Sequence, residues 1–290
     1  MTVADNTEYN ITSNVVAALD GCDDPRMREV VQSLVRHLHA CVRDVEPSVE
    51  EWLAAIGFLT ATGQLCDDKR QEFILLSDTM GVSMLVDAIN HRNRAGGTES
   101  TVLGPFYRTG ADELPLGANI AKNGSGEPVV VRGRVLADDG GAIVGALLDV
   151  WQTNEGGLYD VQDAARADMN LRGRFRTDGE GRFHFVAVKP VSYPIPDDGP
   201  VGRMLHATGR HPFRPAHIHF IVSAPGYRPV TTHLFVRGDP YLASDAVFGT
   251  KDSLVVDFVR NDLPSDAAQY GVAAPFYTVD YDFRLNRAAA

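Results

Sequence analysis

Val129-Val130-Val131, then Arg134-Val135-Leu136, then Ala146-Leu147-Leu148-Asp149-Val150-Trp151 are short apolar or alternating runs, and their reading decides the fold. Turn clusters separate them, Asp138-Asp139-Gly140-Gly141 here and Asp178-Gly179-Glu180-Gly181 further on. Gly and Asp supply the tight turns, and residues of period two between them predict strands. Short strands at this spacing, from about Glu127 onward, indicate a β-sandwich and not βαβ units.

Upstream the texture is helical. Asp24 is placed to cap, and Pro25 to open, a segment in which Met27, Val30, Val31, Leu34, Val35 and Leu38 recur every three or four residues. Ser48 and Glu51 make a capping-box pattern ahead of Trp52, Ile56 and Leu59. A third helical stretch runs from Glu72 to Ile89, with a break expected at Gly81. Gly96-Gly97 and Gly104-Pro105 mark the passage between the two regimes. The expectation is an α+β protein: an all-helical N-terminal part over 1–100, a linker to about 126, and a mostly-β sandwich catalytic domain over 127–290. The helical part shows no site chemistry of its own and reads as a cap and an oligomer interface.

Composition narrows the partners. Hydrophobic residues make up 44% of the 290 and charged residues 22%, which is globular and not disordered. A net charge of −11 sets aside nucleic acid and anionic membrane, both of which need a basic face. Cys22, Cys41 and Cys66 form no CxxC pair and read as free thiols in a reducing compartment. MTVADNTEYN lacks the basic and apolar regions of a signal peptide, and no apolar run approaches 18 residues. A cytoplasmic protein, not a membrane protein, is expected.

Arg214-Pro215-Ala216-His217-Ile218-His219-Phe220 carries the chemistry. On a strand His217 and His219 share one face, while Ile218 and Phe220 turn to the core. Two imidazoles side by side suit zinc, copper, iron or nickel, and the bland reading is two satisfied polar side chains at a sheet edge. Tyrosines occupy two conspicuous loops. Tyr159 follows the Ala146–Trp151 run, and Tyr193 lies in Lys189-Pro190-Val191-Ser192-Tyr193-Pro194-Ile195-Pro196, whose prolines stiffen it. A phenol with a pKa of about 10 ligates at neutral pH only to a strong Lewis acid. Two tyrosines with two histidines therefore point to ferric iron, Fe(3+), one per chain, over zinc.

Tyr159, Tyr193, His217 and His219, with gaps of 34, 24 and 2, resemble the ligand pattern of the intradiol ring-cleaving dioxygenases. Val131-x-Gly133, Asp149-Val150-Trp151, the Tyr-Pro-Ile-Pro loop and Arg-Pro-Ala-His-Ile-His are similar to that family too, over nearly the whole chain. Phe73–Ser83, Gly157–Gln162, Asp198–Gly202 and Thr232-His233-Leu234-Phe235 resemble its hydroxyquinol-cleaving branch; catechol-cleaving relatives usually carry Gln at the position of His233. Leu103 stands where that pattern has Phe.

The resemblance implies cleavage of hydroxyquinol (benzene-1,2,4-triol), or a related catechol, between adjacent hydroxyls by O2. Tyr193 matches the family's displaceable tyrosine, a ligand that becomes the base, and Arg214 its active-site arginine. Asp78 is then the candidate partner for the third hydroxyl, with Leu75, Val102, Leu103 and Gly104 lining the ring and His233 near Arg214. The resemblance also implies a homodimer through the N-terminal helices, with phospholipid in an apolar tunnel. Rival readings are the same chemistry on catechol or chlorocatechol, a non-catalytic sandwich binding module, and a zinc-dependent hydrolase.

Overall fold

Asp24 caps as its position forecasts: its carboxylate accepts from the Arg26 and Met27 amides at 2.8 and 3.1 Å, two donors that a helix start leaves without partners. The structure is a computed structural model and describes residues 6–67, 70–92, 96–122, 126–163, 165 and 168–288. Its chain divides into two units, Met1–Ala61 and Thr62–Ala290.

The first unit holds α1 (Ile11–Ala18), α2 (Pro25–Val45) and most of α3 (Val49–Gln64). α1 has neither a capping side chain nor enough length to announce itself in the sequence. Gln32 of α2 donates to the Val16 carbonyl at 3.1 Å and so ties α1 down. Ser48 and Glu51 form the reciprocal capping box, with bonds of 2.8 and 3.2 Å. The apolar rows Met27–Leu38 and Trp52–Leu59 remain about half exposed within the chain.

The second unit begins with α4 (Glu72–Thr79) and α5 (Val82–His91), parted by Gly81 at φ +72°, where a side chain would be strained. The strands follow: β1 (Pro128–Ala137), β2 (Leu147–Trp151), β3 (Arg172–Arg176), β4 (Arg182–Val188), β5 (Tyr193–Pro194), β6 (Phe213–Arg214), β7 (His217–Ser223), β8 (Val230–Val236), β9 (Val255–Val256), β10 (Val259–Asn261), β11 (Phe276–Asp280) and β12 (Phe283–Leu285). α6 (Pro200–Ala207) lies between β5 and β6, and α7 (Pro264–Ala268) between β10 and β11.

One sheet runs β10-β11-β1-β12, with β4 also on β1, and the other β3-β2-β7-β8-β9. Their facing sides share one core: Val129, Val131, Phe183, Phe185 and Phe283 meet Leu148, Val150, Phe175, Ile218, Phe220 and Leu234. This is the sandwich that the strand pattern predicted. Helices first and two packed sheets after make the class α+β. Gly133 is required where the chain between β11 and β12 crosses β1, because a Cβ there would lie 1.8 Å from the Tyr281 carbonyl oxygen.

Residues 96–122 are not a free tether. Leu114 and Ile120 donate to the Arg174 and Val186 carbonyls at 2.8 and 2.9 Å, and Ile120 is buried in the sandwich core. Among the described residues, no helix is long and apolar enough to cross a membrane.

Candidate metal centre

β7 alternates strictly. Ile218, Phe220 and Val222 enter the core, so His217 and His219 emerge on the outer face of the second sheet. There Trp151 of β2 and His233 of β8 flank His219 in register. The indole stacks on the His219 ring at 4.6 Å and 14°, which fixes the plane of the imidazole. His217 Nδ1 donates to the Pro215 carbonyl at 2.7 Å. A carbonyl only accepts, so Nδ1 holds the proton and Nε2 presents its lone pair.

Tyr159 reaches the same spot from the loop after β2. Its amide donates to Gln162 Oε1 at 3.1 Å, and Phe106 stacks on its ring at 4.6 Å. The next residue, Asp160, accepts from Arg172 and Arg108 at 2.6 Å, and Arg172 also donates to the Phe106 carbonyl at 2.8 Å. Loop 104–108 and the Tyr159 loop are thereby stapled together. Tyr193 arrives on β5, paired directly with Arg214 on β6.

The four polar tips converge. Tyr159 Oη lies 2.9 Å from Tyr193 Oη and 2.8 Å from His219 Nε2. His217 Nε2 lies 3.0 Å from His219 Nε2 and 3.5 Å from Tyr193 Oη. All four side chains are buried. Burial, and after it the Arg214 charge, brings His217 down to about 3. His219 moves the same way through burial and its His233 and His217 neighbours. Burial raises both phenols, opposed most at Tyr193 by the Arg214 guanidinium. Two neutral imidazoles, that of His217 with its lone pair turned inward, beside phenols that need a cation to ionise, form a set that suits a hard metal ion.

Arg214 donates to His217 Nε2 at 3.3 Å. Its other edge meets Asp245 at 3.1 and 3.3 Å, and both side chains are almost wholly buried. Burial alone would weaken the Arg214 charge; Asp245 reverses this and holds the guanidinium protonated. Asp245 in turn accepts from the Val247 and Gly249 amides at 3.2 and 3.0 Å.

A narrow recess opens beside the four tips. Leu75, Asp78, Val102, Gly104 and Arg214 line it, together with Pro105, Phe106, Ile195, Pro196 and Val247. Burial raises the Asp78 carboxyl, against the pull of Ser83 and Arg214. Two predicted residues lie elsewhere. Leu103 is 42% exposed and borders a groove outside the recess, because its neighbours Val102 and Gly104 take the inner side. His233 stands behind His219, its ring edge-on at 4.1 Å and its Nδ1 bonded to Thr101 at 2.9 Å. His217, His219 and His233 thus form a three-imidazole group. The phenols bond only to the first two of these, so the four tips converge without His233.

A family model described as catechol dioxygenase N terminus matches residues 24–98, and one described as dioxygenase matches 102–287. The chain belongs to the intradiol ring-cleavage dioxygenases. This intradiol dioxygenase is 53% identical to the hydroxyquinol 1,2-dioxygenase of a Rhizobium species, over 97% of this chain and 96% of that one. It is 48% identical to the 6-chlorohydroxyquinol 1,2-dioxygenase of Cupriavidus pinatubonensis, over 96% and 97%. Among solved structures, hydroxyquinol 1,2-dioxygenase from Pseudomonas putida superposes with a TM-score of 0.91 at 50% identity, covering 97% of this chain and 99% of that one.

An intradiol dioxygenase uses non-haem iron, and the residues here fit it. Two oxygen and two nitrogen donors meet at one point, their protonation ready for a cation that displaces phenolic protons. Sequence reasoning missed Asp245, Arg172, Asp160 and the stacking role of Phe106. Asp245 lies 31 residues beyond Arg214, and its neighbours in the chain form no pattern that would single it out.

Proposed function

We propose that this dioxygenase cleaves hydroxyquinol between its adjacent hydroxyls, consuming O2 and giving 3-hydroxy-cis,cis-muconate, the tautomer of maleylacetate. The ring carbon–carbon bond breaks and each oxygen atom ends in one of the two new carboxyls, so the equation balances with no other reductant. The observation that carries the reading is a single carboxylate, Asp78, lining the recess beside the converging tips and Arg214, with Leu75, Val102, Ile195 and Val247 among its apolar neighbours. A buried polar group in such a wall selects the substrate that bonds it and rejects the analogue that leaves it unpaired. Similarity at 48–53% identity to enzymes named for hydroxyquinol and its 6-chloro derivative supports the same choice.

Tyr159, Tyr193, His217 and His219 would hold the iron, in the ferric state on the hardness of the two phenolates. When bound, ferric iron supplies the Lewis acidity that lets both phenols and the diol ionise, and the redox chemistry toward O2. Tyr193 takes a proton from one diol hydroxyl at its Oη, the phenol on which the Arg214 charge acts most strongly. Arg214, fixed by Asp245, offers its Nη1 side toward the site, where it stabilises negative charge growing on the ring. Asp78, its carboxyl raised by burial, bonds the third hydroxyl. Phe106 and Ile195 line both the recess and the groove beside it, and give the ring an apolar border.

The same reading takes residues 1–100 as a dimerisation region. The half-exposed apolar rows of α2 and α3 support a homodimer, with phospholipid between the helices. The free cysteines and acidic charge support a cytoplasmic enzyme. Iron analysis, then anaerobic visible titration and oxygen uptake with benzene-1,2,4-triol and with catechol, test the assignment. A tyrosinate band that shifts with the triol, and faster uptake on the triol than on catechol, are expected. Faster turnover of catechol would move the substrate assignment, and an iron-free colourless protein after ferric reconstitution would end the iron reading.

A further inference from the structure

α4 lines the recess through Leu75 and Asp78, and the turn 245–249 lines it through Val247 and holds the carboxylate behind Arg214. Nothing in the chain sequence joins these two pieces, yet one side chain spans them. Arg210 donates through Nη1 to the Thr79 carbonyl at 2.6 Å and through Nη2 to the Ala246 carbonyl at 2.9 Å. Thr79 O belongs to the last turn of α4, where helix geometry leaves carbonyls without partners. The guanidinium lies over the Phe248 ring at 4.9 Å. Phe248 itself sits at φ +58°, an unusual conformation for a bulky residue, and a Cβ on Gly81 would touch its ring at 3.5 Å.

Arg210 is in turn well anchored. Its amide donates to the Leu205 carbonyl at 2.9 Å, and Gly209 at φ +70° closes the end of α6. The opposite end of α6 meets the start of α4: buried Glu72 accepts from the Val201 amide at 3.1 Å and pairs with Arg70. α4 is therefore pinned to α6 at both ends, and the Arg210 end also grips the turn behind Arg214. Arg210 does not border the recess and touches none of the four converging tips.

We propose that Arg210 is a positioning residue that sets substrate selectivity from outside the recess. It fixes the spacing between Asp78 on α4 and the Asp245–Arg214 pair, and so the span across which a trihydroxylated ring is gripped. The proposal rests on the hydroxyquinol reading. A planar guanidinium with two forks suits the task, since an ammonium reaches one carbonyl at a time and stacks poorly.

The test is steady-state kinetics of iron-loaded Arg210→Met, Arg210→Lys and Phe248→Leu on benzene-1,2,4-triol and on catechol, with the resting visible spectrum of each. For Arg210→Met, KM for the triol should rise roughly tenfold. The kcat should stay within about threefold, and the preference for triol over catechol should fall roughly tenfold. The resting absorption maximum should not move, because no donor tip is touched. Arg210→Lys should recover part of the preference, and Phe248→Leu should lose a smaller part. An unchanged preference in all three variants overturns the proposal. So does a loss confined to kcat with a displaced absorption band, which would place the effect on the donors. If wild type itself fails to turn over the triol, the substrate assignment fails first. Should Arg210→Met not fold, Arg210→Lys and Phe248→Leu carry the same comparison.

Discussion

Asp245→Asn removes half of a buried ion pair without changing its shape. Arg214 and Asp245 side chains are 4% and 1% exposed, with bonds of 3.1 and 3.3 Å. Stripping one charge from such a pair leaves the other buried and unpaired, a cost of about 3–5 kcal/mol. An asparagine oxygen can still accept from one amide or from the guanidinium, which returns about 1 kcal/mol. The net loss is about 3 kcal/mol, and for a unit of this size about 3 °C of melting temperature follows each kcal/mol, giving a drop of about 10 °C. Acid changes the comparison in one direction. Burial pushes the Asp245 carboxyl up, but the Arg214 charge and hydrogen bonds outweigh it and hold the group below its usual value. A carboxyl lowered on folding stabilises the fold above its unfolded value of about 3.9, and stops doing so as pH falls through the folded value. The gap between wild type and variant should therefore be full at pH 7 and close only well below about pH 4. Thermal melts followed by circular dichroism, on iron-loaded protein across that range, measure it. A difference under about 2 °C at pH 7, or a gap that widens on acidification, would refute the assignment of Asp245 as the anchor of Arg214.

Tyr193→Phe deletes both a donor oxygen and the proposed base, so kcat should fall by at least about 100-fold with a changed visible spectrum; a loss under tenfold would remove the base role. Gly249→Ala places a methyl 3.0 Å from Arg214 Nη2 and 3.2 Å from Asp245 Oδ2, on backbone that accepts alanine. It should raise KM severalfold at a stability cost of about 1–2 kcal/mol, and unchanged KM would show that Arg214 yields freely. Arg172→Met leaves Asp160 with Arg108 and the Met169 amide, and cuts the bond to the Phe106 carbonyl. A loss of about 3 kcal/mol in thermal melts is expected, and an unaltered melt would show that the staple is dispensable.

The strand runs and their turns foretold the sandwich because period two is a local signal, and the His217/His219 pair was legible for the same reason. The caps at Asp24 and Ser48 were equally local. α1 was not visible, being short and uncapped by any side chain. The packing of 96–122 on the sandwich was hidden too, because its backbone bonds go to strands 60 to 186 residues away and leave no periodic trace. Within the site, the tyrosines stood out by loop context and by resemblance. Their supports did not: Asp245, Arg172 and Arg210 act through partners 12 to 131 residues distant. The outward turn of Leu103 followed from a loop conformation that no pattern of residue types specified.

β7 serves two masters at alternate positions, with Ile218, Phe220 and Val222 in the core and His217 and His219 at the site. A slip of one residue would turn both imidazoles into the sandwich core and three apolar side chains toward the site, so the sandwich itself proofreads the spacing of the two nitrogen donors. Away from the four tips the recess is walled differently, by α4, the 102–106 loop, the Ile195-Pro196 stretch and Val247, none of which belongs to the two large sheets. Divergence among relatives acting on other ring substitution patterns therefore has a natural place to happen. Mutations that retune which aromatic ring is accepted should collect in that shell, while the strand that carries the imidazoles drifts only as fast as the core permits.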